Sequence, residues 1–385
     1  MDFDPTAEQR QLRDVAREFA REVVAPAADQ HDRDHSFPLE IVRQMGELGF
    51  FGLNLPESHG GSGAGMLTAS IVLEEIGWAD QSVAITLSVS SGLAGGMIAR
   101  LGTNAQRDRW LPGLAAGEIL ASFALSEPGG GSDAAATTTS ATLADGAWTI
   151  DGAKAFITNS GTPITGVHVV TAATEPGGGS HGLSTILVPA DTEGLIVAAG
   201  YRKLGWHAAD THELVFDSCR VPDDHLLGER GRGFPQALDA LAGGRIAVAA
   251  ISVGLAQACL DASLRYASER EAFGHPIGTN QLIQAKLADI RAGVEAARLL
   301  THRAAWLRDE GRPHRVDAAI AKVVASESAV EATREAVQIH GGYGFMEEFP
   351  VARFYRDAKV LEIGEGTSEI LRLLIARDLG LPERD

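Results

Sequence analysis

A glycine-rich segment in the first half of the chain has residue types suited to a flat or phosphorylated ligand. It reads Ala124-Leu125-Ser126-Glu127-Pro128-Gly129-Gly130-Gly131-Ser132-Asp133. Glycines let main-chain amides approach a ligand closely, and the hydroxyls of Ser126 and Ser132 can hydrogen-bond to it. The segment matches neither a P-loop nor a Rossmann fingerprint. Taken alone, the pattern favours a mobile surface loop over a binding site.

A second segment, Trp148 to Asn159, is typical of a strand that carries an aromatic and a hydroxyl side chain on one face. Side chains alternate along a strand, so Phe156 and Thr158 are predicted to point the same way. Together they could contact a planar cofactor. An ordinary half-buried strand with a packed phenylalanine explains the same pattern.

The elements that must position these residues change in type along the chain. Apolar residues at helical spacing predict helices at 7–27, 38–48, 68–76 and 104–114. From about Ala121, short apolar runs and the Asp145-Gly146 turn predict a compact antiparallel sheet or barrel. Long helical segments return at 235–268, 280–309, 316–338 and 367–378. The sequence therefore predicts an α+β multidomain protein, with an N-terminal helical domain (1–120), a middle antiparallel β domain (121–231) and a C-terminal four-helix bundle (232–385).

Composition excludes several classes of partner. The 385 residues carry a net charge of -18, which disfavours binding to nucleic acid or to an anionic membrane surface. The sequence has no uninterrupted apolar stretch of 18 residues, so it predicts no membrane span. Cys219 and Cys259 stand alone, without ligand spacing, so neither disulfides nor a metal site is expected. With an acidic N-terminus, these features predict a cytoplasmic protein.

Four further segments occur in the order that is typical of one enzyme family. They begin at Lys203-Leu204-Gly205, Glu269-Arg270-Glu271-Ala272-Phe273-Gly274, Gln338-Ile339-His340-Gly341-Gly342 and Tyr355-Arg356-Asp357-Ala358, the last continuing to Glu365-Gly366-Thr367-Ser368-Glu369. With the two segments above, they span nearly the whole chain, which resembles an acyl-CoA dehydrogenase, in its short-chain or branched-chain form. That resemblance implies FAD as cofactor and the same three-domain architecture.

The resemblance also implies a set of cofactor contacts. Thr158 is expected near N5 of the flavin, and Arg270, Phe273 and Gln281 match residues that reach the FAD of a neighbouring subunit in such enzymes. A homo-oligomer, commonly a tetramer, is therefore implied. The expected FAD-binding residues are Phe123, Leu125, Ser126, Ser132, Phe156, Thr158, Arg270, Phe273, Gln281, Gln338, Gly342, Thr367 and Glu369.

Glu365 is the expected catalytic base. Oxidation of an acyl-CoA removes a proton beside the thioester carbonyl and a hydride from the next carbon. A carboxylate with a pKa of about 4.3 in water becomes a better base when burial raises that pKa. Taken alone, Glu365 also fits an acid at the N-terminus of a helix. Substrate contacts are expected from Ser132, Arg245 and Gly366.

The predicted reaction is FAD-dependent conversion of an acyl-CoA to a trans-2-enoyl-CoA, with electrons passed to an electron-transferring flavoprotein. A flavin monooxygenase or oxidase on the same fold, and a non-catalytic acyl-CoA-binding protein, are the alternatives. Glycine at positions 244 and 364 removes bulk beside the reacting carbons, so branched or wider acyl groups could fit. Chain length and pathway are not readable from the sequence.

Overall fold

A computed structural model describes residues 4–175 and 177–381. Helices make up both ends of the chain, and the strands lie between them. The helices are α1 (Ala7–Phe19), α2 (Ala25–Asp34), α3 (Leu39–Glu47), α4 (Gly65–Ala79), α5 (Gln81–Leu87), α6 (Gly96–Leu101), α7 (Asn104–Ala115), α8 (Gly233–Glu269), α9 (Gln281–Asp309), α10 (Arg315–His340), α11 (Pro350–Ala358) and α12 (Ser368–Asp378). The strands are β1 (Leu120–Ala124), β2 (Ser140–Ala144), β3 (Ala147–Thr158), β4 (Thr165–Ala173), β5 (Leu183–Pro189), β6 (Leu195–Val197), β7 (Thr211–Pro222), β8 (Leu226–Leu227), β9 (Glu271–Ala272) and β10 (His275–Pro276).

Capping and amphipathic patterning explain the first helix. Thr6 and Gln9 form a reciprocal capping box at the start of α1, and Ala16 and Phe19 are buried. A wider π-helical turn, Ala20–Val24, joins α1 to α2, so the predicted helix is confirmed and extends to Asp34. The other three predicted N-terminal helices are confirmed as α3, α4 and α7.

One buried helical segment gave no periodic signal in the sequence. It comprises α5, the π-helical turn Ser88–Gly95 and α6, and nearly every residue of it is buried. A helix that is apolar on all sides has no polar face to reveal the 3.6-residue period. This segment and α8 are each long and apolar enough to span a membrane, but 83% of each apolar window is buried by the chain itself. Burial by the rest of the chain is typical of core helices.

The central sheet is mixed, whereas the sequence predicted an antiparallel one. Its strand order is β6-β7-β3-β2-β4-β5-β8, with β1 paired to β4. The pairing of β1 with β4 is parallel, because the hairpin of β2 and β3 between them carries the chain back to the same end. The predicted hairpin turn at Asp145-Gly146 is present, with both residues at positive φ.

The long C-terminal helices pack with an N-terminal helix. α8, α9 and α10 contact one another, α12 packs against α10, and α4 contacts both α8 and α9. One apolar core therefore includes residues from both helical regions, among them Val72, Ile76, Ile251, Val294 and Ala325. The boundaries at 120 and 231 lie beside Leu120, where β1 begins, and Gly233, where α8 begins, and they stay a prediction.

Candidate active site

Glu365 lies in a tight loop immediately before α12. Its φ of 57° is in the left-handed region that disfavours side chains, and Gly366 follows at 101°. Thr367, not Glu365, caps the helix, because its Oγ1 accepts a hydrogen bond from the Ile370 N–H at 3.3 Å. The acid in the first turn is Glu369. The interpretation of Glu365 as a helix N-terminal acid is therefore wrong, and a strained loop presents its side chain instead.

The Glu365 carboxylate is buried beside α8. Its Oε2 atom has no hydrogen-bond partner among the described residues. A Cβ atom built on Gly244 would lie 2.4 Å from that oxygen, so only glycine leaves room for it there. Burial raises the pKa of Glu365 to about 7, although Arg245 and Lys322 nearby act to lower it. The group is a carboxylate poised to exchange a proton near neutral pH.

Two cations hold the backbone of this loop. Arg245 on α8 donates from Nε to the Glu365 carbonyl at 3.1 Å, and Lys322 on α10 donates from Nζ to the Gly366 carbonyl at 2.9 Å. The structure thus brings Arg245 and Gly366 together, as expected for two substrate-contacting residues. Sequence reasoning missed Lys322, which is fully buried. Burial lowers its pKa to about 8, while Glu365 acts to raise it. The sequence feature that could have identified Lys322 is its position as a lone lysine within the apolar run of α10.

A cavity of about 280 Å³ is lined by Gly244, the residue against which Oε2 of Glu365 packs, but Glu365 itself is not one of its lining residues. Its walls come from α4, α8, the end of α9 and the π-helical turn Ser88–Gly95. Leu73, Leu87 and Ala247 form part of an apolar wall, and Gly244 separates the cavity from Glu365. Such a cavity suits an acyl chain.

The glycine-rich segment is fixed to the sheet by a buried ion pair. Lys154 on β3 donates to the Leu125 carbonyl at 3.0 Å and to Glu127 at 2.8 Å. Glu127 also accepts hydrogen bonds from Thr138 and from the Thr139 N–H. Although burial opposes it, these partners lower the pKa of Glu127 to about 2. The segment is anchored at its start rather than mobile throughout.

The predicted middle-domain residues gather around the junction of β1 and β3. Phe123 and Leu125 are buried, and the Ala155 N–H donates to the Ser126 carbonyl at 2.9 Å. Ser126 is half-buried, whereas Ser132 lies on the exposed part of the loop. No hydrogen bond joins Ser132 to Arg245 or Gly366 within the described residues, and the role of the three as substrate contacts stays a prediction.

Phe156 and Thr158 lie on the same side of β3, as predicted. Phe156 is 67% exposed, Ile157 is buried and Thr158 is half-buried. The simple alternation is interrupted at Phe156, because the β3–β7 register shifts between Lys154 and Ile157 and Phe156 has a φ of 62°. The backbone at Phe156 is strained, and its exposed aromatic ring offers a surface on which a planar group could stack.

The remaining expected cofactor residues form a second, exposed group at the ends of the long helices. The Arg270 guanidinium lies over the Tyr343 ring at 5.7 Å, which places it beside Gly342. Phe273, at positive φ, is 97% exposed. Gln281 and Gln338 are also exposed. No hydrogen bond, ion pair or ring contact within the described residues joins this group to Phe156 or Glu365. Thr367 and Glu369 lie apart from it, at the start of α12.

Sequence reasoning also missed the joint between the β domain and α11. The Trp206 N–H donates to Asp357 at 2.6 Å, and a Cβ on Gly205 would lie 2.6 Å from the Arg356 carbonyl oxygen. Burial raises the pKa of Asp357 to about 7, although Arg353 acts to lower it. Two of the segments recognised in the sequence therefore dock on each other.

Comparison with known proteins agrees with this arrangement. Models of the acyl-CoA dehydrogenase N-terminal, middle and C-terminal domains match residues 6–118, 122–219 and 231–380. The mouse short-chain specific acyl-CoA dehydrogenase is 44% identical, covering 96% of this chain and 89% of that protein.

Solved structures give the same result. Butyryl-CoA dehydrogenase from Megasphaera elsdenii superposes with a TM-score of 0.96 at 40% identity, covering 99% of this chain and 100% of that one. A chain of the structure described as the electron transferring flavoprotein of Acidaminococcus fermentans gives a TM-score of 0.96 at 39% identity, covering 98% and 99%. The chain belongs to the acyl-CoA dehydrogenase family.

Proposed function

We propose that the protein oxidises an acyl-CoA thioester to the trans-2-enoyl-CoA, with FAD as cofactor and an electron-transferring flavoprotein as electron acceptor. One observation carries the proposal. The Oε2 atom of Glu365 is buried without a partner among the described residues and packs against Gly244, which lines a cavity of about 280 Å³, and the pKa of Glu365 is raised to about 7. A base whose pKa lies near the working pH is the most effective one for removing a carbon-bound proton.

The residues present fit FAD. Phe156 offers an exposed aromatic face, Thr158 and Ser126 offer hydroxyls beside it, and Arg270 offers a permanent charge for a pyrophosphate. When bound, FAD accepts the hydride that leaves the carbon β to the thioester. Phe123, Leu125, Ser132, Phe273, Gln281, Gln338, Gly342, Thr367 and Glu369 are the other proposed contacts.

The chain's own residues perform the proton chemistry. Glu365 accepts the α-proton of the substrate, and Lys322 and Arg245 hold the backbone on which it sits. The Glu365 N–H makes no hydrogen bond among the described residues, so it is free to donate to the thioester carbonyl as enolate character develops. A donor placed in this way contributes about 3 kcal/mol to transition-state stabilisation.

Anaerobic reduction of the bound flavin by acyl-CoA tests this function. The wild-type holoenzyme should lose its flavin absorbance when a short acyl-CoA is added without oxygen. Glu365→Gln should keep FAD and lose the bleaching, because an amide cannot accept the α-proton. Glu331→Gln, which removes an exposed partner of Arg334, is the matched control and should bleach normally. Rapid bleaching of Glu365→Gln would overturn the assignment.

The same preparation separates the alternatives. A protein purified without flavin that still binds acyl-CoA would indicate a non-catalytic binding protein. Reoxidation of the reduced flavin by oxygen, with formation of hydrogen peroxide or an oxygenated product, would indicate an oxidase or monooxygenase. Reoxidation of the reduced enzyme by an electron-transferring flavoprotein, rather than by oxygen, is the expected result.

A homo-oligomer, a tetramer in the form we propose, completes the FAD site. Phe273, Leu282 and Phe345 are each at least 80% exposed, and such large apolar side chains are typical of a surface that another subunit covers. Light scattering should give a tetramer, and Phe273→Asp should lower both the mass and the FAD content. A monomer with a full FAD content would contradict this. The cytoplasmic location stays a prediction, supported by the free, buried Cys219 and Cys259.

A further inference from the structure

An arginine that forms no ion pair among the described residues lines the cavity beside Gly244. Arg308, near the end of α9, contributes to the cavity wall, and its Nη1 atom is buried with no hydrogen-bond partner. Within the described residues, its guanidinium forms neither an ion pair nor a side-chain hydrogen bond. A guanidinium stays charged at neutral pH, and a buried charge without a partner is costly.

The neighbouring charged groups are already engaged. Arg100, which also lines the cavity, is paired with Asp239. Both carboxylate oxygens of Asp309 accept hydrogen bonds at the start of α4, from the Met66 N–H at 2.6 Å and the Leu67 N–H at 2.9 Å. Burial and the second cation, Arg100, act to lower the pKa of Arg308, while Asp239 and Asp309 act to raise it. Arg308 is therefore the cavity-lining arginine that has no ion-pair partner among the described residues.

Two adjacent glycines on α8 relate this cation to the reacting end of the site. A Cβ on Gly243 would lie 2.6 Å from Nη1 of Arg308, and a Cβ on Gly244 would lie 2.4 Å from Oε2 of Glu365. The base and the cation thus flank successive residues of one helix. An acyl group whose α-carbon reaches Glu365 has only a few further carbons before it meets Arg308.

We propose that the substrates are CoA monothioesters of short dicarboxylic acids, whose free carboxylate is bound by Arg308. The proposal rests on the function given above and specifies its substrate class. A carboxylate accepts two parallel hydrogen bonds from a guanidinium, which supplies the missing partner. A purely apolar chain would leave Arg308 desolvated and unpaired. The distal carboxylate is retained, because the α-proton goes to Glu365 and the hydride from the β-carbon goes to the flavin.

The test compares two thioesters of equal chain length on the FAD-loaded protein. The five-carbon dicarboxylic monothioester and pentanoyl-CoA differ chiefly in the terminal group. We expect the wild-type protein to have the larger kcat/KM, by at least tenfold, for the dicarboxylic one. Arg308→Met should reduce the ratio of the two kcat/KM values at least tenfold, and Arg308→Lys should reduce it less. Arg312→Met, which removes an exposed cation outside the cavity, should not change the ratio.

A second variant guards against misfolding of Arg308→Met. Gly243→Ala displaces the guanidinium end of Arg308 with a single methyl group, and alanine favours the helix. It should lower the same ratio. Binding can be read separately by titrating the Glu365→Gln holoenzyme, whose flavin spectrum should shift at a lower concentration of the dicarboxylic thioester than of pentanoyl-CoA.

The outcomes distinguish this proposal from the function on which it rests. Bleaching by pentanoyl-CoA that is as fast as, or faster than, bleaching by the dicarboxylic thioester would overturn the substrate class and leave the dehydrogenase function intact. An equal fall in kcat/KM for both thioesters in Arg308→Met would also overturn the proposed substrate class. Failure of any acyl-CoA to bleach the wild-type flavin would overturn both.

Discussion

A Cβ atom on Gly244 would lie 2.4 Å from Oε2 of Glu365. A side chain at this helix position and the carboxylate that we propose as the base therefore compete for one space. Gly244→Ala should keep or slightly raise stability, because alanine favours a helix by about 1 kcal/mol over glycine. It should displace the carboxylate and lower the rate of flavin reduction by at least tenfold.

Stopped-flow reduction and thermal melts of Gly244→Ala check this prediction. Gly293→Ala on α9 is a suitable control, since a Cβ there meets only the Ser328 side chain at 3.5 Å, an ordinary contact, and the residue has no positive φ. A Gly244→Ala protein that reduces its flavin at the wild-type rate would contradict the geometry.

The acid limb of the pH profile should report Glu365. Because the pKa of the Glu365 carboxyl in the enzyme without substrate is about 7, kcat/KM should fall tenfold per pH unit below that value. Lys322 favours the charged form of Glu365, so Lys322→Met should move the limb to higher pH. The exposed Lys359→Met should leave it in place. A limb that stays fixed in Lys322→Met would show that this cation does not set the pKa.

Removing one member of the buried pair Glu127–Lys154 should destabilise the protein. Glu127→Gln leaves the Lys154 ammonium, which is fully buried, without its counter-charge, and we expect a loss of about 3 kcal/mol in the free energy of unfolding. FAD content should fall as well, because Lys154 also holds the Leu125 carbonyl. Denaturant unfolding and flavin absorbance measure the two effects, and the exposed Glu118→Gln is the control.

The same pair predicts a pH dependence of stability. The pKa of Glu127 falls from the ordinary glutamate value of 4.5 to about 2 in the folded protein, because Lys154 and Thr138 outweigh the effect of burial, so the folded state favours the charged form. This contribution is fully present above pH 4.5 and is lost as the pH falls toward 2. Glu127→Gln should lack that part of the acid destabilisation. Parallel acid-unfolding curves for wild type and variant would contradict the prediction.

The joint at Gly205 should tolerate no side chain. A Cβ there would lie 2.6 Å from the backbone oxygen of Arg356, which cannot rotate away. Gly205→Ala should therefore lower the melting temperature and weaken docking of the β domain on α11. Gly129→Ala, in open space, should have little effect. Calorimetry of the two variants, with limited proteolysis between the domains, tests this.

Local patterns predicted the amphipathic helices, the long C-terminal helices and the β2–β3 hairpin, because each depends on residues close in sequence. The mixed sheet was not predictable in this way, since the parallel β1–β4 pair forms between strands separated by a hairpin. The α5–α6 segment gave no periodic signal because it is largely buried, whereas α11, in which Val351, Phe354 and Ala358 recur at helical spacing, was overlooked.

The same distinction between local and distant contacts applies to the candidate site. Glu365 and most cofactor contacts were expected from a resemblance carried by contiguous motifs. Lys322 and Arg308 were not expected, because the role of each depends on a loop or a cavity formed by residues that are distant in the sequence. The raised pKa of Glu365 likewise depends on burial by α8, which no local pattern encodes.

The apolar segment Gln81–Leu101 packs against α8, which begins only at Gly233. During synthesis, the apolar segment Gln81–Leu101 therefore leaves the ribosome long before α8, which buries it, has been made. Such a nascent chain depends on chaperones to prevent aggregation, and the N-terminal region is not expected to mature as an independent unit. Folding of the enzyme is completed from its C-terminal end.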